Sequence, residues 1–150
     1  MLREKIDEDL RSAMKSRDAV SVSTLRMLKS AAGYVEIEKG GTLTDDDILQ
    51  VVSRECKRRR ESIEQFGQGG RADLVEKETA ELQILLRYLP EQLDEAELTG
   101  IAQEVISELN AASKSDKGRV MGVVMQRVRG KADGKTVNRI VDQLLEGSSG

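Results

Sequence analysis

Two stretches of this chain repeat one rhythm on either side of a glycine-rich break, and that leaves few folds open. Leu49, Val52, Cys56, Arg59, Ile63 and Phe66 follow one another at intervals of 3, 4, 3, 4 and 3 residues. This spacing keeps one seam of a helix turned toward a partner helix. Gly67, Gly69 and Gly70 interrupt the pattern, and Val75, Glu78, Leu82, Leu85 and Leu89 resume it. Each seam carries one charged member, basic in the first and acidic in the second. Folding the segments back antiparallel about the glycines brings Val52 to Leu85, Cys56 to Leu82, Ile63 to Leu74 or Val75, and Arg59 to Glu78. The expectation is a long antiparallel hairpin with an Arg59–Glu78 ion pair at or near its seam. Such a pair fixes register more than it adds stability. Glu55, four residues before Arg59, is placed to share it.

The remaining segments also read as helices. Leu2, Ile6, Leu10 and Met14 recur every four residues, and Val22, Leu25, Leu28, Ala32 and Val35 form a stripe from about Ala19 to the Gly40-Gly41 break. Thr44 followed by Asp45, Asp46 and Asp47 is an N-cap with acids in the first helical turn. Leu89-Pro90 closes the hairpin, and Asp94 with Glu97 forms a capping box ahead of Leu98, Ile101, Ala102, Val105 and Leu109. After a loop over 110–115 come two shorter helices, one through Val120, Met121, Val124, Met125 and Val128, the other through Val137, Ile140, Val141, Leu144 and Leu145. Gly130 and Asp133-Gly134 separate them, and the closing Gly-Ser-Ser-Gly has no helical pattern. The fold class is therefore all-α: an N-terminal helical domain over 1–90 containing the hairpin, and a small three-helix domain over 91–150. Tyr34 and Tyr88 are expected to anchor helices to one another, and Met121 and Met125 to fill core.

Composition limits the chemistry. Histidine is absent and Cys56 is the only cysteine. The usual acid–base group at neutral pH and the commonest metal ligand are thus missing, and no zinc site or internal disulfide can be assembled. No apolar run approaches the roughly 20 residues of a membrane span, and the charged start Met1-Leu2-Arg3-Glu4-Lys5 lacks a secretory core. These features predict a cytoplasmic chain with no catalytic residue, metal, cofactor or membrane partner. Cys56 reads as an inert small hydrophobe within the seam.

Charge is distributed unevenly. Residues 1–90 hold 16 basic and 17 acidic side chains, and 91–110 hold six acidic and no basic ones. Between 114 and 139, Lys114, Lys117, Arg119, Arg127, Arg129, Lys131, Lys135 and Arg139 face only Asp116 and Asp133, a local excess of +6. Gly118 and Gly122 lie four apart there, which suits either close approach of a ligand backbone or close helix packing. The segment is a candidate phosphate-binding surface. No aromatic follows Tyr88, so RNA contact would be to backbone and shape, salt-sensitive and without base stacking. The denser run Lys57-Arg58-Arg59-Arg60 reads instead as a solvated face laced with Glu55, Glu61 and Glu64.

The residues Arg54-Glu55, Lys57, Arg59-Arg60-Glu61-Ser62-Ile63, Phe66, Gly70-Arg71, Asp73-Leu74, Glu78, Glu81-Leu82 and Tyr88-Leu89-Pro90-Glu91-Gln92-Leu93 closely resemble the YqeY family. So do Lys117-Gly118-Arg119-Val120-Met121-Gly122, Met125, Gly130-Lys131-Ala132-Asp133-Gly134-Lys135 and Val137-Asn138. The likeness covers nearly the whole chain apart from its last four residues. It implies a C-terminal domain similar to the tail of GatB, a subunit of the glutamine-dependent amidotransferase that converts mischarged tRNA, where the tail engages tRNA and the chemistry lies elsewhere. On that resemblance Lys117, Gly118, Gly122, Lys131 and Lys135 are candidate tRNA contacts, joined on charge by Arg119, Arg127, Arg129 and Arg139.

Three functions follow as expectations. The first is a non-catalytic module that binds tRNA or accompanies a tRNA amidotransferase or another tRNA-handling protein. The second is a carbon–nitrogen ligase with glutamine as amido donor, for which Cys56 is the one conspicuous nucleophile. The third is an adaptor that binds a protein through the long hairpin, which an exposed apolar patch would favour.

Overall fold

The structure is a computed structural model that describes residues 1–148. Seven α-helices account for it: α1 (Leu2–Ser16), α2 (Ala19–Lys39), α3 (Asp45–Gln68), α4 (Ala72–Leu86), α5 (Glu95–Leu109), α6 (Lys117–Arg127) and α7 (Gly134–Ser148), with a short 3-10 turn over Lys114–Asp116. No strand occurs among the described residues, so the fold is all-α. The chain divides into two compact units, Met1–Leu89 and Pro90–Gly150.

Local chemistry sets the helix ends. Asp18 caps α2 by accepting from the Ser21 amide at 3.2 Å and the Ser21 hydroxyl at 2.6 Å. Thr44 and Asp47 form a reciprocal capping box at α3, as Asp94 and Glu97 do at α5. Lys39 reaches Asp47 at 2.5 Å from the last turn of α2, and this hydrogen bond, with that from the Thr44 amide, holds the Asp47 carboxyl down at about 2. Gly40 leaves α2 at φ 74°, a conformation that costs a side-chain-bearing residue energy. Gly67 stays helical, so α3 ends two residues beyond the expected position, and α4 ends at Leu86, three residues short of it.

In the first unit α3 and α4 pack along each other, and α2 packs on both. This alters what the heptad pattern implies. A two-helix seam would bury only Val52, Cys56, Arg59 and their heptad mates. Here α3 also buries Ile48, Val51 and Glu55, because α1 and α2 cover a second stripe of its surface. The core joins Ile48, Val51, Val52 and Cys56 to Ile6, Leu25, Leu28, Leu82, Ile84, Leu85 and Tyr88. Tyr88 is an anchor, donating to Asp9 at 2.5 Å, and burial followed by this bond pushes its phenol well above the ordinary value. Tyr34 is not. It is 72% exposed, because the side of α2 that carries it faces away from Leu25 and Leu28.

The second unit is a three-helix arrangement of α5, α6 and α7. Its core is rich in branched residues: Val105, Val120, Val124, Val128, Val141 and Leu145 are fully buried. Met121 and Met125 pack at its edge. The entry segment is fixed to the α6–α7 turn: Leu93 donates its amide to the Lys131 carbonyl at 2.9 Å, and the Gln92 side chain donates to the Gly130 carbonyl at 2.9 Å. No helix among the described residues is long and apolar enough to cross a membrane.

Candidate functional site

The basic segment was the first candidate, and its geometry differs from a cationic face. Lys114 binds Glu146 at 2.9 Å, Lys117 binds Asp142 at 2.9 Å, and Arg119 binds Asp116 at 3.2 Å. Arg127 is paired with Glu108 and Arg139 with Glu95. Both latter acids belong to α5, the acidic stretch that precedes the basic one in sequence. Eight basic and ten acidic side chains fall within residues 90–150, so the unit carries a net charge of −2. The local +6 is a property of a segment and not of the folded surface. Arg129, Lys131 and Lys135 are exposed on and beside the turn into α7. Gly118 and Gly122 face open space, so close helix packing is not what selects them.

A second arrangement lies in the first unit, where five polar or charged residues are buried: Ser21, Thr24, Glu55, Arg59 and Glu81. Arg59 is 5% exposed, and its guanidinium donates to Glu55 at 2.6 Å. Across the hairpin its Nε stands 3.4 Å from a Glu81 oxygen and 3.8 Å from one of Glu78. The nearest partners are thus Glu55 and Glu81, with Glu78 outermost. Arg59 Nε makes no hydrogen bond among the described residues. Desolvation first, then the neighbouring Glu81 charge, raises the Glu78 carboxyl above its ordinary value. Glu81 escaped the seam reading because it sits one position off the heptad, three residues after Glu78 on the adjoining turn.

Glu55 carries the cluster to the surface of an open cleft of about 340 Å³ between α2 and α3. Arg26, Met27, Ser30, Ala31 and Tyr34 line one wall, and Glu55 and Arg58 the other. The Met27 sulfur accepts from the Arg59 guanidinium at 3.6 Å, linking the wall to the buried charges. Met27 is 49% exposed, and Val20, Tyr34 and Ile37 on the same helix are 42%, 72% and 79% exposed. The large exposed apolar side chains are therefore on α2, with Met14 on α1 and Met1 ahead of it, and not on the α3–α4 hairpin. Sequence offered one signal for those on α2: Val20, Met27 and Tyr34 recur every seven residues, off the stripe that builds the core.

Cys56, the candidate nucleophile, has no exposed surface, and burial pushes its thiol up to about 11. Among the described residues no group of carboxylates and cysteine is arranged to hold a metal ion.

Residues 3–145 match the family described as Yqey-like protein. The chain is 28% identical over 144 residues to Altered inheritance of mitochondria protein 41, mitochondrial, of Pyrenophora tritici-repentis, covering 94% of this chain and 79% of that one. It is 29% identical over 130 residues to the Saccharomyces cerevisiae protein of that name, covering 86% and 69%. A Schizosaccharomyces pombe protein is 38% identical over 90 residues, 60% of this chain and 73% of its own. The mitochondrial label on the Pyrenophora and Saccharomyces relatives overturns the expectation of a cytoplasmic chain. A lone cysteine and a charged first helix suit any reducing interior, so composition cannot separate one such compartment from another.

Proposed function

From the premise that the chain belongs to the Yqey-like family, we propose that it is a non-catalytic helical adaptor that holds a protein partner on the α2–α3 cleft. The observation carrying this reading is the exposed apolar line Val20, Met27, Tyr34 and Ile37 beside a cleft lined by the buried Glu55 of the ion cluster. Exposed apolar surface of this kind is costly in water unless something covers it. A non-catalytic role is supported by Cys56, whose sealed and protonated thiol is unsuited to attack a glutamine amide.

A second reading, contact with the phosphate backbone of tRNA, is favoured by the bare faces at Gly118 and Gly122 and by the exposed Lys131 and Lys135. Its electrostatic basis is reduced by the pairing of Lys117, Arg127 and Arg139 with carboxylates.

Gel filtration of a cell extract separates the two. On the adaptor reading the chain elutes in a complex that survives nuclease, and the variant Tyr34→Ser/Ile37→Ser elutes alone. Collapse of the complex by nuclease, with the variant behaving like the parent, selects the tRNA reading.

A further inference from the structure

We propose that the occupant of the α2–α3 cleft is an amphipathic helix of another protein, with carboxylates flanking its apolar stripe; this rests on the adaptor reading above. Shape supports a helix. Val20, Met27 and Tyr34 lie on one line of α2, and at 1.5 Å per residue they span about 21 Å, roughly four turns of a docked helix. Ser30 and Ala31 between Met27 and Tyr34 are small, leaving holes into which the partner's side chains fit. Recognition would be of the helix-in-groove kind, with anchors at heptad spacing.

Charge decides the partner's flanks. Arg26 stands on one wall of the cleft and Arg58 on the other, both exposed, and Arg54 and Lys57 are exposed beside Arg58 on α3. The one acid lining the cleft, Glu55, is buried and shared by Arg59 at 2.6 Å and Arg58 at 3.5 Å, so it is more than neutralised. The rim is cationic, and a helix edged with glutamate or aspartate complements it. The same charges argue against a second copy of this chain. Antiparallel pairing of α2 about Met27 would set Arg26 beside Arg26 of the copy, a like-charge contact across a shared apolar seam.

The test uses the full chain labelled at its methionine methyls, since Met27 reports on the cleft and Met121 and Met125 on the second unit. The probes are two synthetic amphipathic peptides of about 18 residues with leucine at both seam positions, one flanked by glutamates and the other by lysines. Expected is a saturable shift of the Met27 signal with the glutamate peptide, and binding about tenfold weaker with the lysine peptide, since each rim pair contributes a few-fold. The variant Arg26→Glu/Arg58→Glu should invert that preference. Equal binding of the two peptides, no Met27 shift with either, or a Met27 shift produced by total tRNA or by self-association overturns the proposal. If Tyr34→Ser/Ile37→Ser still releases a nuclease-resistant complex while the peptides show no charge preference, this inference fails and the adaptor reading stands. If that complex is dissolved by nuclease, the adaptor reading itself fails.

Discussion

The two units solve the same problem in opposite ways. The second is built on a core of valines and leucines, every buried residue among those described in it is apolar, and its charges meet one another at the surface. The first sinks an arginine and two glutamates into its interior, with a third glutamate at the edge. Burying ions costs several kcal/mol each before any attraction returns it, so an apolar core of the same volume is often the more stable choice. The unit that accepts this cost is also the one with a cleft reaching Glu55 and with apolar side chains left in water. Surface charge in the second unit is largely neutralised by its neighbours, whereas the buried charge of the first unit holds the shape beside an open cleft.

The contrast can be broken most forcefully at Arg59. Replacing it with alanine leaves Glu55 and Glu81 buried without their counterion and should cost about 3–5 kcal/mol. The loss should be confined to the first unit. All three aromatic residues, Tyr34, Phe66 and Tyr88, lie there, so near-ultraviolet circular dichroism follows that unit alone. The matching cut in the second unit is Leu145→Ala, which opens a cavity in a fully buried position and should cost about 2–5 kcal/mol. Its aromatic signal should melt as before while the Met121 and Met125 methyl resonances collapse at lower denaturant.

A gentler variant, Glu78→Gln, sharpens the comparison by its sign. Because the folded state raises this carboxyl above its unfolded value, the native protein binds more protons there, and stability falls as pH rises from the ordinary carboxylate range through the raised value. Removing the ionisation should make the first unit modestly more stable at neutral pH, with the gain disappearing at a pH below the ordinary range. Urea titrations at the two pH values check it. A loss of stability at neutral pH would show that the Arg59 attraction outweighs desolvation. Smallest of all should be Lys117→Met, which removes a half-exposed surface pair and should change stability by about 1 kcal/mol or less, measurable as a slight shift in the second unit's urea midpoint.

Much of the architecture was legible from local rules. Both capping boxes, the glycine break after α3 and the core stripes of α5 and α7 are short-range patterns that tertiary contacts did not override. The heptad rhythm led to Arg59 and Glu78, yet it could not reveal that Glu55 and Glu81 would stand closer, because α2 widens the buried face beyond a two-helix seam. Tyr34 was misplaced for a related reason. An α2 with apolar residues on two sides does not announce which side the core takes. The basic segment differs from its sequence reading because a count along the chain does not see across helices: Arg127 and Arg139 find their acids on α5, 19 and 44 positions away. The six acids of residues 91–110 were the available warning.

On the proposal made above, partners meet this protein at the α2–α3 cleft and not along the basic segment. A photoreactive amino acid placed in turn at Tyr34, Ile37 and Lys131 of the full chain tests it in one experiment. Expected is a discrete, nuclease-resistant protein adduct from positions 34 and 37 and none from 131. Adducts from 131 that vanish with nuclease, alongside silence at 34 and 37, would contradict it.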